Sequence, residues 1–189
     1  MLIKNSAYRV YNSIYMYSFR FSPIKNQIGL LKAIEYIHFE THRLCKQNMG
    51  YYLPVAGNVG VFCHYEEEYK NLITLRKELT EESDSWNQKY FRLHKPIIIP
   101  AGHNIPETTY TYLYIRKPDQ NNHRVGDVDF YLEPSKYKKL KESLLSGIVI
   151  KGVEIFKRTD LDLIRLSDPD SDVSSFVGKK IMAENVNKK

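Results

Sequence analysis

Alternation of apolar and polar positions is cleanest between Gly126 and Val177, and the remaining chain is read outward from there. GDVDFYLEP alternates at every second residue, the period of a strand with one buried face, and Pro134 ends it. SKYKKLKESLLSG follows, capped by Ser135 and stopped by Gly147, which predicts a helix. VEIFKR and LDLIRLS are short β-prone runs, DPDSD is a turn, and VSSFV closes the region. The predicted order is strand, helix, then two or three strands.

Upstream, residues 7–21 put Tyr15, Tyr17, Phe19 and Phe21 on one face of an extended segment, and this aromatic, period-two run predicts a strand. A long helix is expected from about Pro23 or Asn26 to Asn48, with Ser22-Pro23 as a candidate start and Gly50 as the stop. Its apolar stripe is Leu30, Ile34, Ile37, Thr41 and Leu44. GNVGVFCH reads as a strand and Glu66 to Leu79 as a helix, with acids in its first turn and Arg76 and Lys77 near its end. After the polar loop around Trp86 comes KYFRLHKPIIIP, a strand that Pro96 confines to an edge or a bulge. TTYTYLYIRKPD alternates strongly and predicts another strand.

Two of these regions look alike. GNVGVFCHYEEEYKNL pairs with GDVDFYLEPSKYKKL, and YLYIRKPD with LIRLSDPD, which sets Pro118-Asp119 against Pro169-Asp170. Two tandem strand-helix-strands modules therefore predict a single α+β domain over residues 1–177 with a mostly antiparallel sheet. Residues 1–52 supply the N-terminal strand and long helix, 57–119 the first module, 126–177 the second, and 178–189 a basic tail.

Composition narrows the classes. No apolar run approaches the roughly 18 residues of a membrane span, and the N-terminus has no cleavage site of a signal peptide. Two cysteines are too few for a disulfide framework, so reduced thiols and a cytoplasmic location are expected, with no membrane partner. The net charge of +6 is uneven: residues 1–50 carry seven Lys/Arg against two acids, whereas residues 126–177 hold eight bases and ten acids. Seven tyrosines fall among residues 1–52. Basic side chains among aromatic faces suit single-stranded nucleic acid or an acidic protein partner, and Arg9, Tyr11, Arg20, Lys25, Lys32, Arg43 and Lys46 are the candidate contacts. The alternative is that the tyrosines pack as core and the charge serves solubility.

Two clusters could carry chemistry. His38, His42 and Cys45 stand at i, i+4 and i+7 of the long helix, a spacing from which imidazoles and a thiolate share a zinc ion, unless they only border the buried stripe. HFETH is not the HExxH signature. Asp127 and Asp129 project from one side of their strand, and Asp160 and Asp162 alternate likewise; if Asp127, Asp129 and Asp162 converge they suit Mg²⁺ and phosphoryl transfer. The Gly-Ser turn of nucleotidyltransferases is absent from KPDQNNHRV. A P-loop, a dinucleotide glycine motif and a nucleophile elbow are absent too, so no resident cofactor is expected beyond those two ions.

The paired modules and the phrase LSDPDSDVSSFV resemble the vicinal oxygen chelate, or glyoxalase-like, superfamily over about residues 57–177. That resemblance implies a fold of paired βαβββ units and a small-molecule-binding protein, or a relative of its lyases and dioxygenases. The family often reads DPDGN before a metal-binding glutamate on the last strand. Here Ser171 and Asp172 follow Asp168-Pro169-Asp170, and the glutamate position falls on Ser175. The other ligand positions, at the start of each module's first strand, hold Asn58 and Asp127. The resemblance therefore implies the fold without the family's metal ligands, and the first module lacks an evident fourth strand.

Overall fold

Helix α1 (Gln27–Met49) starts where the Asn26 side chain accepts a hydrogen bond from the Gly29 amide. It ends at Gly50, whose φ of 81° is the left-handed conformation that glycine adopts without a steric penalty. Asn26, not Ser22, is the cap, and Pro23 lies outside the helix. Leu30, Ile34, Ile37, Thr41 and Leu44 are all buried, as the stripe predicts. This computed structural model describes residues 19–82, 88–158 and 161–180. Most of the strand expected over 7–21 lies outside them, and residues 19–21 form none.

The remaining elements are β1 (Val55–Phe62), α2 (Glu66–Leu79), β2 (Phe91–Ile99), β3 (Thr108–Arg116), β4 (Gly126–Leu132), α3 (Pro134–Leu145), β5 (Val153–Arg158), β6 (Leu161–Leu166) and β7 (Val173–Lys179). Pro134 opens α3 instead of merely ending the strand, because its fixed φ and missing N–H suit a first helical turn; Ser135 is not the cap. β7 runs two residues beyond the boundary expected at 177.

All seven strands form one sheet in the order β2-β3-β1-β4-β7-β6-β5. It is mixed: β1 and β3, and β4 and β7, pair in parallel, and the other four pairings are antiparallel. Within each module the last strand returns beside the first in the same direction, while β1 and β4 meet antiparallel at the centre. The units at 57–80 and 126–147 thus hold equivalent places. The match of YLYIRKPD with LIRLSDPD does not survive, because it equates β3, which parallels its module's first strand, with β6, which does not touch β4. β2 is an edge strand with a register shift between Arg92 and Ile97, and this accommodates Pro96.

Helix α1 crosses the middle of this sheet, against β1, β4, β6 and β7. Val59, Val61, Val128, Phe130, Ile164, Leu166, Val173 and Val177 are buried on that side. The approach at the centre is close: a Cβ on Gly126 would stand 2.3 Å from the Gly60 carbonyl oxygen and 2.4 Å from Ile37 Cδ1. Strand alternation sends the intervening residues to the opposite face. Among the described residues no helix is long and apolar enough to cross a membrane.

Candidate functional site on the open face of the sheet

With Val128 and Phe130 turned toward α1, Asp127 and Asp129 must point the other way, as the sequence alternation requires. There they meet a cavity of about 350 Å³ lined also by Phe62, Tyr90, Tyr114, Arg116, Arg124, Phe156, Arg165, Ser174 and Phe176. Gly60 lies opposite Asp127 on β1, and the carboxylate occupies the space a side chain would need: a Cβ there would be 2.1 Å from Asp127 Oδ1. An adjoining cavity of about 610 Å³ shares Lys89, Tyr114 and Arg116 and extends toward Tyr69 and Arg76 of α2.

The two carboxylates have different surroundings. Asp129 Oδ2 accepts hydrogen bonds from Asn58 Nδ2 at 2.7 Å and from the Tyr90 hydroxyl at 3.4 Å. Burial raises its pKa, and those two donors work against the rise. Asp127 is only 8% exposed, and its Oδ1 is buried without a hydrogen-bond partner among the described residues. Burial, then the Asp129 charge, hold it well above the usual carboxylate range, with Arg116 opposing. The pair is therefore asymmetric: both carboxyls are raised by burial, but only Asp129 has donors that oppose the rise.

Asp162 does not join them. It shares a face of β6 with Ile164 and Leu166, where Lys141 and Lys179 donate to it at 2.6 and 2.8 Å and hold its pKa down at about 2. Tyr137 also donates to it, at 3.1 Å. The three-carboxylate convergence is therefore corrected to a pair, and Asp160 lies outside the described residues. Ser175, the glutamate position implied by the resemblance, donates to the Val128 carbonyl, while its neighbours Ser174 and Phe176 line the cavity.

His38, His42 and Cys45 are buried on the core side of α1, and although the two imidazole centroids are 4.2 Å apart, the three side chains turn to separate partners. His38 Nδ1 is 2.9 Å from the Tyr110 hydroxyl, His42 Nδ1 bonds the His38 carbonyl, and Cys45 Sγ turns to the Tyr51 carbonyl at 3.5 Å. Among the described residues no group of three or more His, Cys, Asp or Glu is placed to hold a metal ion. Burial raises the Cys45 thiol to about 11 and lowers His38 to about 3. Between pH 6.5 and 3 the unfolded chain therefore protonates His38 while the fold does not, so stability is lost as pH falls through that window. We expect the urea midpoint to drop on going from pH 7 to pH 5, and His38→Gln to flatten that slope by up to about 1.4 kcal/mol per pH unit. Parallel slopes in the two proteins would show that His38 is protonated in the fold.

The candidate cations of residues 1–52 are distributed differently from the carboxylates. Arg9 and Tyr11 lie outside the described residues. Arg20 is paired with Asp172 at 2.7 Å, Arg43 with Glu40 at 2.7 Å, and Lys46 lies over the Tyr52 ring. Lys25 and Lys32 are exposed. Arg43 and Lys46 border a groove of about 550 Å³ with Tyr36, Phe39 and Tyr52, on the side of α1 away from the sheet's open face.

Sequence reasoning missed Asn58 as a hydrogen-bond donor, and Tyr90, Arg116, Arg124 and Arg165 altogether. Arg116 and Arg165 sit in strands and Arg124 in a loop, so only the strand order brings them together. The one local signal was alternation: in LDLIRL, Arg165 falls on the side opposite Ile164.

No family model matches the sequence, and no curated protein matches it. A solved structure, the structural-genomics protein EC4020, is similar in fold with a TM-score of 0.54 and 12% identity. The similarity covers 93% of this chain and 99% of that one.

Proposed function

We propose that the open face of the sheet is a small-molecule site and that the protein is an acid–base enzyme, with Asp127 as proton donor and Asp129 as its charged partner. The observation that carries this reading is Asp127, which lines the cavity while its buried Oδ1 has no hydrogen-bond partner among the described residues. An unpaired buried polar atom costs a fold about 1–3 kcal/mol, so a purely structural aspartate would be placed where a donor meets it. A neutral carboxyl there is equipped to give its proton to a bound ligand, and Asp129, tied by Asn58 and Tyr90, disfavours the negative charge left behind. That asymmetry returns the proton to Asp127 after each transfer.

The paired modules support the glyoxalase-like resemblance, and a true internal duplication accounts for the equivalent places of β1 and β4. The family's metal chemistry is not what these residues suit. Mg²⁺ or zinc would find two carboxylates and three guanidiniums around one cavity, a donor set that favours a proton over a dication. The polyanion-binding reading of residues 1–52 draws less support, since Arg20 and Arg43 already have carboxylate partners.

The test is a carbon-detected NMR titration of the aspartate carboxyls. Asp127 is expected to titrate above the usual range, to fall when Asp129→Asn removes the neighbouring charge, and Asp129 to rise in Asn58→Ala. Titration of both carboxyls near the ordinary value of about 3.9 would sink the proposal.

A further inference from the structure

We infer that the ligand of this site is a small organic oxyanion with a planar body, its charged group held by Arg124 together with Arg116 and Arg165. This rests on reading the cavity as a small-molecule site. Three guanidiniums reach it from separate places: Arg116 from the end of β3, Arg124 from the segment before β4, and Arg165 from β6. Lys89 adds a fourth cation at the rim.

Their protein partners are incomplete. Arg124 Nε is buried without a hydrogen-bond partner among the described residues, an uncommon state for a guanidinium nitrogen. Arg116 meets Asp119 only at 3.5 Å where both are more than a third exposed, and stacks over Phe62 at 4.7 Å. Arg165 is tied to Glu154 on the exposed strand β5. The two aspartates that face these cations supply one negative charge between them in the acid–base reading, against three guanidiniums, since burial and the Asp129 charge favour the protonated form of Asp127. Burial and the neighbouring charges of Arg165 and Arg116 all disfavour the Arg124 cation. Like charges held this close repel, and a bound anion converts the repulsion into charge-assisted hydrogen bonds. Arg124 and Asp127 both line this cavity, and each has a buried polar atom with no hydrogen-bond partner among the described residues, so a single ligand carrying an oxyanion and a proton-accepting atom suits both side chains.

The other lining residues set the body of that ligand. Phe156 and Phe176 stand with ring centroids 4.9 Å apart, Tyr90 and Tyr114 5.5 Å apart, and Phe62 lies under Arg116. Such surfaces favour a flat, apolar group. The volume of about 350 Å³ is at the small end of the usual range for ligand pockets.

Calorimetric titration of the full chain at low salt, with benzoate, phenyl phosphate, inorganic phosphate and neutral benzamide, tests this. One or both aryl anions are expected to bind, the better one reporting whether carboxylate or phosphate is preferred. Benzamide and inorganic phosphate should each bind at least about tenfold more weakly than that anion, for want of the charge or of the ring. Arg124→Gln should weaken the anion by about tenfold or more, with its circular dichroism and melting temperature checked alongside. Should that variant not fold, Arg165→Gln at the rim carries the same expectation. Benzamide binding as tightly as the anions, or neither aryl anion binding at millimolar concentration, overturns the inference. The two proposals fail separately: anion binding with Asp127 titrating normally leaves this one standing, and a raised Asp127 with charge-blind binding leaves only the acid–base reading.

Discussion

An alanine at position 126 is expected to cost the fold about 3 kcal/mol or more, lowering the denaturant midpoint without changing its slope. Gly126 opens the central strand where Ile37 of α1 packs directly on the sheet. Its missing Cβ would be 2.3 Å from a β1 carbonyl, which is backbone, and 2.4 Å from the end of the Ile37 side chain, which is fully buried. Relief requires β1 and β4 to part or α1 to lift, and either movement loosens contacts of Val128 and Phe130 with the core. Gly147 is the control. Its φ of 94° strains an alanine, but a Cβ there meets nothing, so Gly147→Ala should cost only about 1–2 kcal/mol. Equal midpoints for the two variants would mean that α1 is not seated this tightly.

Local pattern carried far where the cause was local. The stripe of α1, the bounds of α2, the alternation of β3 and β4 and the edge placement of Pro96 all follow from burial on one face. So does the shared side of Asp127 and Asp129, because a period of two admits no other arrangement within one strand. The same rule was misapplied to Asp162. In LDLIRL it shares a face with Ile164 and Leu166, so burying those two sends the carboxylate toward α3, where Lys141 and Lys179 meet it.

Direction and adjacency were not legible in the same way. Alternation says that a strand has two faces, but not whether its neighbour runs parallel; four of the six pairings are antiparallel, as a mostly antiparallel sheet requires, but the parallel returns of β3 and β7 were not foreseen. The arginines of the site depend on that topology. Arg116 and Arg165 are 49 positions apart in sequence and approach one cavity because β3 and β6 lie on either side of β1, β4 and β7. Regional charge was misleading for the same reason: the second module is slightly acidic, yet the cavity it shares with the first is lined by cations.

Asp127→Asn should leave a protein that is more stable than the parent in mild alkali, though not in acid. The native fold keeps the Asp127 proton well above the usual carboxylate range, whereas an unfolded chain releases it near 3.9. Between those points the folded state binds more protons, so the contribution of this group is present in acid and is lost as pH rises through its native pKa. Asparagine cannot ionise and escapes that loss. Near pH 4 the two proteins should differ little, and by pH 8 the variant should lead by about 1–3 kcal/mol, the scale of penalty for a buried polar group without partners. Denaturant titrations at the two pH values measure the difference directly. The variant should also have no carboxyl proton to give a ligand, the familiar exchange of activity for stability where a fold carries a strained functional group. A variant less stable than the parent at pH 8 would instead make Asp127 an ionised structural partner of Arg116, and the proton donor would have to be sought elsewhere on this face.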